Sequence, residues 1–279
     1  MARTPKAQAL GVALRRAREQ GGLTTRGLAD RIGRNQGEIS RWEMGERTPK
    51  PEHVAQVLAT LGIVGKPYDE LMSLAYDMTA PMWVASSLPA RQQQLAVLIE
   101  MEQNAVDIVD VSPSLVPGLL QTKEYAHAIM SGGGLSPDEV VTRVAVRMER
   151  QNAIYRTDPV RFTAYIGEAV IRQIIGDRKV MAAQLHHLLE MARRPNIVIR
   201  VVPYDSGWQP SLEGYFSLIR TDNTFPIVHV ELRKTGIFLH DAEDVDAYQD
   251  AVDLVAEAAL PPAASARLVT EAAHRMESS

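Results

Sequence analysis

Apolar residues recur at helical spacing through the first 76 residues, in five short segments separated by glycine or proline. Glycines follow the first four segments at Gly21–Gly22, Gly33, Gly45 and Gly62, and Pro51 fits the first turn of the fourth. The inward positions are Leu10 and Leu14; Leu28, Ala29 and Ile32; Ile39 and Trp42; Val54, Val57, Leu58 and Leu61; and Tyr68, Leu71 and Leu74. The pattern predicts a compact all-α bundle of five short helices.

The second and third predicted helices have recognisable starts. Either Thr24 or Thr25 can cap the second, and Asn35 followed three residues later by Glu38 resembles a capping box for the third. A turn of about three residues, Gly33–Asn35, joins them. This is the layout of a helix-turn-helix, whose second helix enters the DNA major groove.

Beyond residue 76 the pattern changes. Two prolines and small polar residues in DMTAPMWVASSLPA predict a linker at 77–90, between a domain at 1–76 and one at 91–279. Helices are predicted at 92–111, 123–130, 137–155, 168–175, 177–193, 242–258 and 262–276, and strands at 160–166, 197–203, 215–220, 227–232 and 236–239. The C-terminal region is therefore expected to be an α+β domain with a small mixed sheet and flanking helices. The last helices are expected either in a dimer interface or in the core.

Composition narrows the class of protein. The chain has 279 residues, 46% of them hydrophobic, and no cysteine, which excludes disulfides and thiolate metal sites. Apolar runs are short, and residues 1–20 lack the apolar core of a signal peptide. We therefore expect a cytoplasmic protein that does not interact with a membrane.

Charge divides unevenly along the chain. Residues 1–66 carry 12 basic and six acidic side chains, whereas residues 67–279 carry 18 basic and 28 acidic ones. The basic N-terminal region, called the head below, suits a polyanion such as nucleic acid, whereas the acidic remainder of the chain would repel a polyanion. Double-stranded DNA, if bound, is expected at the N-terminal end.

The third helix offers chemistry that can read DNA bases. With Ile39 and Trp42 buried, its exposed side would present side chains that bind base edges or phosphate. Glutamine pairs with adenine and arginine with guanine or phosphate, and a glycine permits close backbone approach. Glu38 is a cap, an acceptor from cytosine or a deterrent to wrong sequences. The predicted DNA-binding residues are Thr25, Arg26, Asn35, Gln36, Gly37, Glu38, Ser40, Arg41 and Arg47.

The segment LTTRGLADRIGRNQGEISRWEMGERTP (23–49) resembles the lambda-repressor/Cro-type (XRE) helix-turn-helix, and the match covers roughly residues 8–76. The resemblance implies a lambda-repressor-like bundle. In that family the position of Thr25 often contacts phosphate, although glutamine is common there. We expect Glu43 to support the fold by pairing with a nearby arginine such as Arg31. The arm Arg3–Lys6 either contacts DNA or is a frayed terminus.

The C-terminal region also resembles a known domain. VPGLLQTKEYAHAIM (116–130), RMERQNAIY (147–155), the segment 168–203 and EGYFSLI (213–219) are similar to the antitoxin-like domain attached to helix-turn-helix heads in actinobacterial regulators. The run of proline, glycine, two leucines, glutamine and threonine is the most specific part. The resemblance implies a homodimeric regulator that senses an unknown small-molecule ligand or binds a small partner protein encoded nearby.

Enzyme and metal motifs are missing from the sequence. It contains no glycine-rich phosphate loop, HExxH, GxSxG or paired-carboxylate motif, and its C-terminal lysines lack the surroundings of a self-cleaving Ser-Lys protease. His186 and His187 would point about 100° apart on a helix, which makes them poor joint ligands. Glu102, Trp208 and Tyr215 either line a pocket or pack in the core. We expect no enzyme, no cofactor and no metal.

These observations predict a transcriptional regulator that binds a palindromic operator as a dimer and acts in the cytoplasm on the nucleoid. Two alternatives remain open at this point. One is an antitoxin-like protein that acts mainly by binding a small partner protein. The other is a ligand-binding sensor in which the head is secondary.

Overall fold

The computed structural model describes residues 4–76, 82–84, 88–222, 226–233 and 235–278, with side chains from Arg91 onward in the third range. All five predicted helices of the head are present: α1 (Pro5–Gln20), α2 (Thr25–Arg31), α3 (Gln36–Glu43), α4 (Pro51–Thr60) and α5 (Lys66–Ala75). Their shared core includes Leu10, Leu14, Leu28, Ile39, Trp42, Val54 and Leu58. The predicted all-α bundle is therefore confirmed.

Local signals set the ends of these helices. Thr24, rather than Thr25, caps α2, and its Oγ1 accepts a hydrogen bond of 3.0 Å from the Gly27 N–H. Asn35 caps α3 through a bond of 2.7 Å from the Gly37 N–H to Oδ1. Gly45 follows α3 with φ +66°, a conformation that favours glycine.

The chain divides into two compact units. Unit one comprises residues 1–101 and 223–242, and unit two comprises residues 102–222 and 243–279. Within the segment predicted as a linker, Met82–Val84 form strand β1, and helix α6 (Leu88–Asn104) begins before its end. The domain boundaries at 76 and 91 stay a prediction.

Unit one contains three of the strands: β1, β6 (Ile227–Glu231) and β7 (Gly236–Leu239). Strand β7 pairs antiparallel with both others, and Trp83 and His229 lie opposite Phe238. The buried side chain of Gln94 on α6 donates from Nε2 to the carbonyls of Trp83 at 2.9 Å and Gly236 at 3.1 Å. One amide thus fixes α6 to two strands.

Unit two contains β2 (Ala105–Ser112), β3 (Arg161–Gly167), β4 (Ile197–Val202) and β5 (Phe216–Thr221), in the order β5-β2-β3-β4. Strands β2, β3 and β4 are parallel, whereas β5 is antiparallel to β2. Seven further helices are described: α7 (Lys123–Gly132), α8 (Pro137–Arg150), α9 (Asn152–Tyr155), α10 (Glu168–Arg172), α11 (Arg178–Met191), α12 (Ala242–Ala258) and α13 (Pro262–Glu277). The predicted α+β class with a mixed sheet is confirmed.

One predicted element is wrong. The helix expected over 92–111 ends at Asn104, and Ala105–Ser112 form β2, a central strand with neighbours on both sides. Apolar residues in AVDIVDVS happen to continue the helical period, but β-branched residues buried on both faces of a sheet favour a strand. The helix predicted over 137–155 is two helices, α8 and α9, which meet at Gln151.

The final helix packs in unit two. Val269, Ala272, Ala273 and Met276 are buried on α13, which lies against α11 and β4. The expectation that this helix packs in the core is therefore confirmed for its inner face. A dimer interface formed by the last helices stays a prediction. Among the described residues, no helix is long and apolar enough to cross a membrane.

Candidate nucleic-acid interface

Helix α3 presents a polar face and buries an apolar one. Ile39 and Trp42 are 1% and 2% exposed, while Gln36 and Arg41 are exposed. Of the other predicted residues, Asn35, Arg26 and Arg47 are exposed, and Thr25, Gly37, Glu38 and Ser40 are half-buried. Because base edges are read by polar side chains that project from one side of a helix, α3 has the amphipathic arrangement that DNA reading requires.

An ion pair accompanies the acidic residue on this face. The Glu38 carboxylate lies 3.6 Å from a guanidinium nitrogen of Arg34, and this guanidinium lies 5.9 Å from the centre of the Trp42 ring. The capping box expected for Asn35 and Glu38 is replaced by other contacts, because Asn35 accepts from the Gly37 N–H and the Glu38 carboxylate pairs with Arg34. The positive charge of Arg34 offsets the repulsion that Glu38 would exert on phosphates.

The C-terminal end of α3 is held by α1 through a buried ion pair. Arg18 donates to both carboxylate oxygens of Glu43, with Nε to Oε1 at 2.6 Å and the second contact at 2.8 Å. These bonds raise the pKa of Arg18 above its ordinary value. The expected partner of Glu43, Arg31, was therefore wrong: Arg31 is exposed on α2, and the partner comes from α1.

Close backbone contact supplements this pair. A Cβ atom at Gly11 of α1 would lie 2.5 Å from the Trp42 carbonyl oxygen and 2.7 Å from that of Glu43. Arg15 also donates to the Glu43 carbonyl at 3.2 Å. Only glycine permits α1 to approach α3 this closely.

The indole of Trp42 links α3 to α4. Its ring stacks on His53 with centroids 5.5 Å apart and an interplanar angle of 16°. Side chains of α1 and α4 therefore contact α3 from two directions, behind its polar face.

The arm predicted to contact DNA is only partly described, because Arg3 lies outside the described residues. Lys6 belongs to the first turn of α1, and its Nζ donates to the Tyr76 carbonyl at 2.6 Å. This contact ties the two ends of the head together.

In unit two, the PGLLQT run forms a buried polar junction. Gln121 donates to the Val116 carbonyl at 2.7 Å and accepts from Arg147 at 3.0 Å. Gln151 donates to the Gln121 carbonyl at 2.7 Å, and Gln184 donates to the Leu120 carbonyl at 2.8 Å. The two motifs 116–130 and 147–155 thus contact each other, which gives the run a structural explanation.

Two of the three candidates for a pocket or core position lie close to one buried group. Glu102 is buried and paired with Arg150, and both Glu102 and Tyr215 act on the buried carboxyl of Asp110, whereas Trp208 is exposed. His186 is exposed and pairs with Glu277 at 2.7 Å, whereas His187 is half-buried. In the part of the chain that the structure describes, no group of three or more His, Asp or Glu side chains is arranged to hold a metal ion.

Sequence reasoning missed Arg18 and Gly11 as supports of α3. A signal existed for both: Arg18 follows Leu14 by four residues and Gly11 adjoins Leu10, so both lie beside the apolar stripe of α1. A charged residue on a buried helix face indicates an oppositely charged partner. A glycine on such a face indicates close approach of another backbone segment.

Two family models match the chain. A helix-turn-helix domain matches residues 9–71. A domain of unknown function (DUF5753) matches residues 95–271, which is more than half of the chain. A comparison with curated proteins gives no match. The predicted combination of a helix-turn-helix head with a separate C-terminal domain is confirmed, and both matches are consistent with the expected XRE-type regulator.

Proposed function

Because the chain belongs to the family of the domain of unknown function DUF5753 and carries a helix-turn-helix domain, we propose that it is a transcriptional regulator that reads a palindromic operator as a homodimer. It acts by binding and not by catalysis, in the cytoplasm and on the nucleoid. The observation that carries the proposal is the exposed polar face of α3, which Arg18, Gly11 and Trp42 fix from behind.

The proposed roles follow from chemistry. Gln36 and Arg41 project from α3, where glutamine suits adenine and arginine suits guanine. Thr25, Arg26 and Arg47 flank that helix and are assigned to the phosphate backbone. Asn35 and Ser40 position the chain on the DNA, and Gly37 permits close approach.

Dimerisation is proposed from the size of the head. A single helix-turn-helix buries too little surface for tight specific binding, whereas two heads on one palindrome approach the roughly 1,000–2,500 Å² of specific complexes. Two-fold symmetry then places the half-sites about one helical turn apart. Sedimentation of the full chain with its operator tests this: two chains per site support the proposal, and one chain per site contradicts it.

The first experiment selects bound fragments from genomic DNA and measures the affinity of the best one at two salt concentrations. Arg41→Ala is expected to lose about 1–3 kcal/mol of binding free energy and to relax base preference at one position. Binding should weaken as salt rises, because phosphate contacts release counterions.

Arg193→Ala is the matched control, since Arg193 is an exposed arginine of unit two. It should bind like the wild type. Unchanged affinity and base preference in Arg41→Ala would remove Arg41 from the readout, and binding without any preferred sequence would contradict the regulator proposal.

A second candidate function, binding of a small partner protein by unit two, is favoured by one observation. Three large apolar side chains between β4 and β5, Tyr204, Trp208 and Leu212, are each more than 60% exposed. Titration with the small protein encoded beside this one tests it, with Trp208→Ala expected to weaken binding. A metabolite ligand would instead raise the melting temperature of the full chain.

A further inference from the structure

Three charged side chains are gathered in the interior of unit two, between β2 and the helices α6 and α8. Asp110 on β2 is 4% exposed, and Glu102 at the end of α6 is 5% exposed. Glu102 binds Arg150 of α8 through two parallel bonds, from Nε at 2.8 Å and from the terminal nitrogen at 2.6 Å. Both carboxyl groups are thus buried, and the Arg150 guanidinium already makes two hydrogen bonds to that of Glu102.

The neighbours of Asp110 lie on two strands, β3 and β5, and on two helices, α6 and α8. Its cross-strand partners are Ser217 on β5 and Ala164 on β3. Ser217 and Tyr215 hydrogen-bond to its carboxyl group, and β3 supplies no ionisable group at that position. The charges that act on it are those of Glu102 on α6 and Arg150 on α8.

The charges of these three side chains do not balance when all three are ionised. Two ionised carboxylates and one guanidinium would leave an uncompensated negative charge in a site removed from water. A buried charge without a counterion is unfavourable, and such a group takes up a proton instead. Hydroxyl groups such as those of Ser217 and Tyr215 serve either form of Asp110, because they can donate to a carboxylate and accept from a protonated carboxyl.

We propose that Asp110 retains its proton up to near neutral pH, and that release of this proton weakens the packing of β2 against the Glu102–Arg150 ion pair. Unit two thereby contains a proton-sensitive switch. This inference does not depend on the proposed DNA binding, because it concerns only side chains of unit two.

The electrostatics of the site agree with this geometry. Burial raises the pKa of Asp110 to about 7, Ser217 opposes the rise, and the charge of Glu102 adds to it. In the unfolded chain an aspartate has a pKa of about 3.9. The folded state therefore holds the proton more tightly than the unfolded state.

The sign of the pH dependence follows. The contribution of Asp110 to the free energy of unfolding has its full value below about pH 4. It falls as the pH rises toward about 7 and is constant above that pH. Within that window the unfolding equilibrium constant of unit two should rise by about tenfold per pH unit from this group alone.

Infrared difference spectra of the full chain between pH 6 and pH 8.5 test the proposal directly, since a protonated carboxyl and a carboxylate absorb at separate frequencies. The wild type should show a protonated carboxyl at pH 6 that disappears at pH 8.5. Asp110→Asn should lack this band and should lose the fall in melting temperature that the wild type shows between these pH values.

Asp107→Asn is the matched control, because Asp107 is on the same strand but pairs with Arg220 at 2.5 Å and is partly exposed. It should keep the band. Glu102→Gln removes the carboxylate that pairs with Arg150, so the guanidinium can compensate Asp110, and the titration of Asp110 should move down by at least about one pH unit. A wild type without the band at pH 6, or an unchanged band in Asp110→Asn, would overturn the proposal.

Discussion

The head and unit two each bury an arginine against acidic side chains, but in different proportions. In the head, Arg18 meets one carboxylate, Glu43, and the two charges balance. In unit two, Arg150 meets Glu102 while the buried Asp110 lies nearby, so two acids share one base. The first arrangement fixes a helix at a constant position, whereas the second ties the packing of a sheet to the proton concentration.

The effect of a buried ion pair depends on the other charges around it. A buried pair contributes little net stability over an apolar replacement, yet removing one partner is strongly destabilising. We therefore expect the two sites to respond differently when the arginine is removed.

The largest effect is expected for Arg18→Met, which leaves Glu43 buried without its counterion. The head should lose about 3–5 kcal/mol of stability. Urea unfolding followed by hydrogen exchange of α1 and α3 peptides measures this loss. Arg16→Met, an exposed arginine on the same helix, should unfold like the wild type. Equal stability of both variants would refute the role of the Arg18 pair.

Arg150→Met tests the second arrangement. It removes the guanidinium that pairs with Glu102 and acts on Asp110, and the cost at pH 8 should again be about 3–5 kcal/mol. At pH 5.5 Asp110 is protonated and carries no charge, so the loss should be clearly smaller. Thermal unfolding of the full chain at both pH values measures it, and a loss independent of pH would contradict the proposed protonation of Asp110.

A smaller effect is expected for Gly11→Ala, because its Cβ would clash with the Trp42 and Glu43 carbonyls. Overpacking of this kind costs about 1–3 kcal/mol. The displaced α3 should also bind its operator more weakly. Gly132→Ala on α7 is the control, since a Cβ there meets nothing within 4 Å. A variant that melts and binds like the wild type would show that α1 does not position α3.

Local signals explain why the head was predictable. Thr24 and Asn35 cap their helices by side-chain bonds to the nearest backbone N–H groups, and Gly45 ends α3 within the same few residues. These interactions span three or four positions of the chain. The polar face of α3 follows from its period, since burial of Ile39 and Trp42 fixes the direction of the other side chains.

Long-range pairing explains the errors. The strand β2 was predicted as helix because its apolar spacing fits both periods, and only its neighbours β3 and β5 decide the outcome. The partner of Glu43 was also mistaken, because Arg18 lies 25 positions away along the chain and Arg31 is much closer. Sequence distance does not reveal which side chains share an interior.

The sequence by itself determined the five-helix head, the face of α3 that points outward and the α+β class of the remainder, because caps, glycines and apolar periods act over a few residues. The tertiary structure alone decided which arginine neutralises Glu43, how the PGLLQT run is bonded, and that Asp110 lies beside an occupied ion pair. Burial and the partners of a charge depend on elements far apart in the chain, and their energies arise only when those elements pack together.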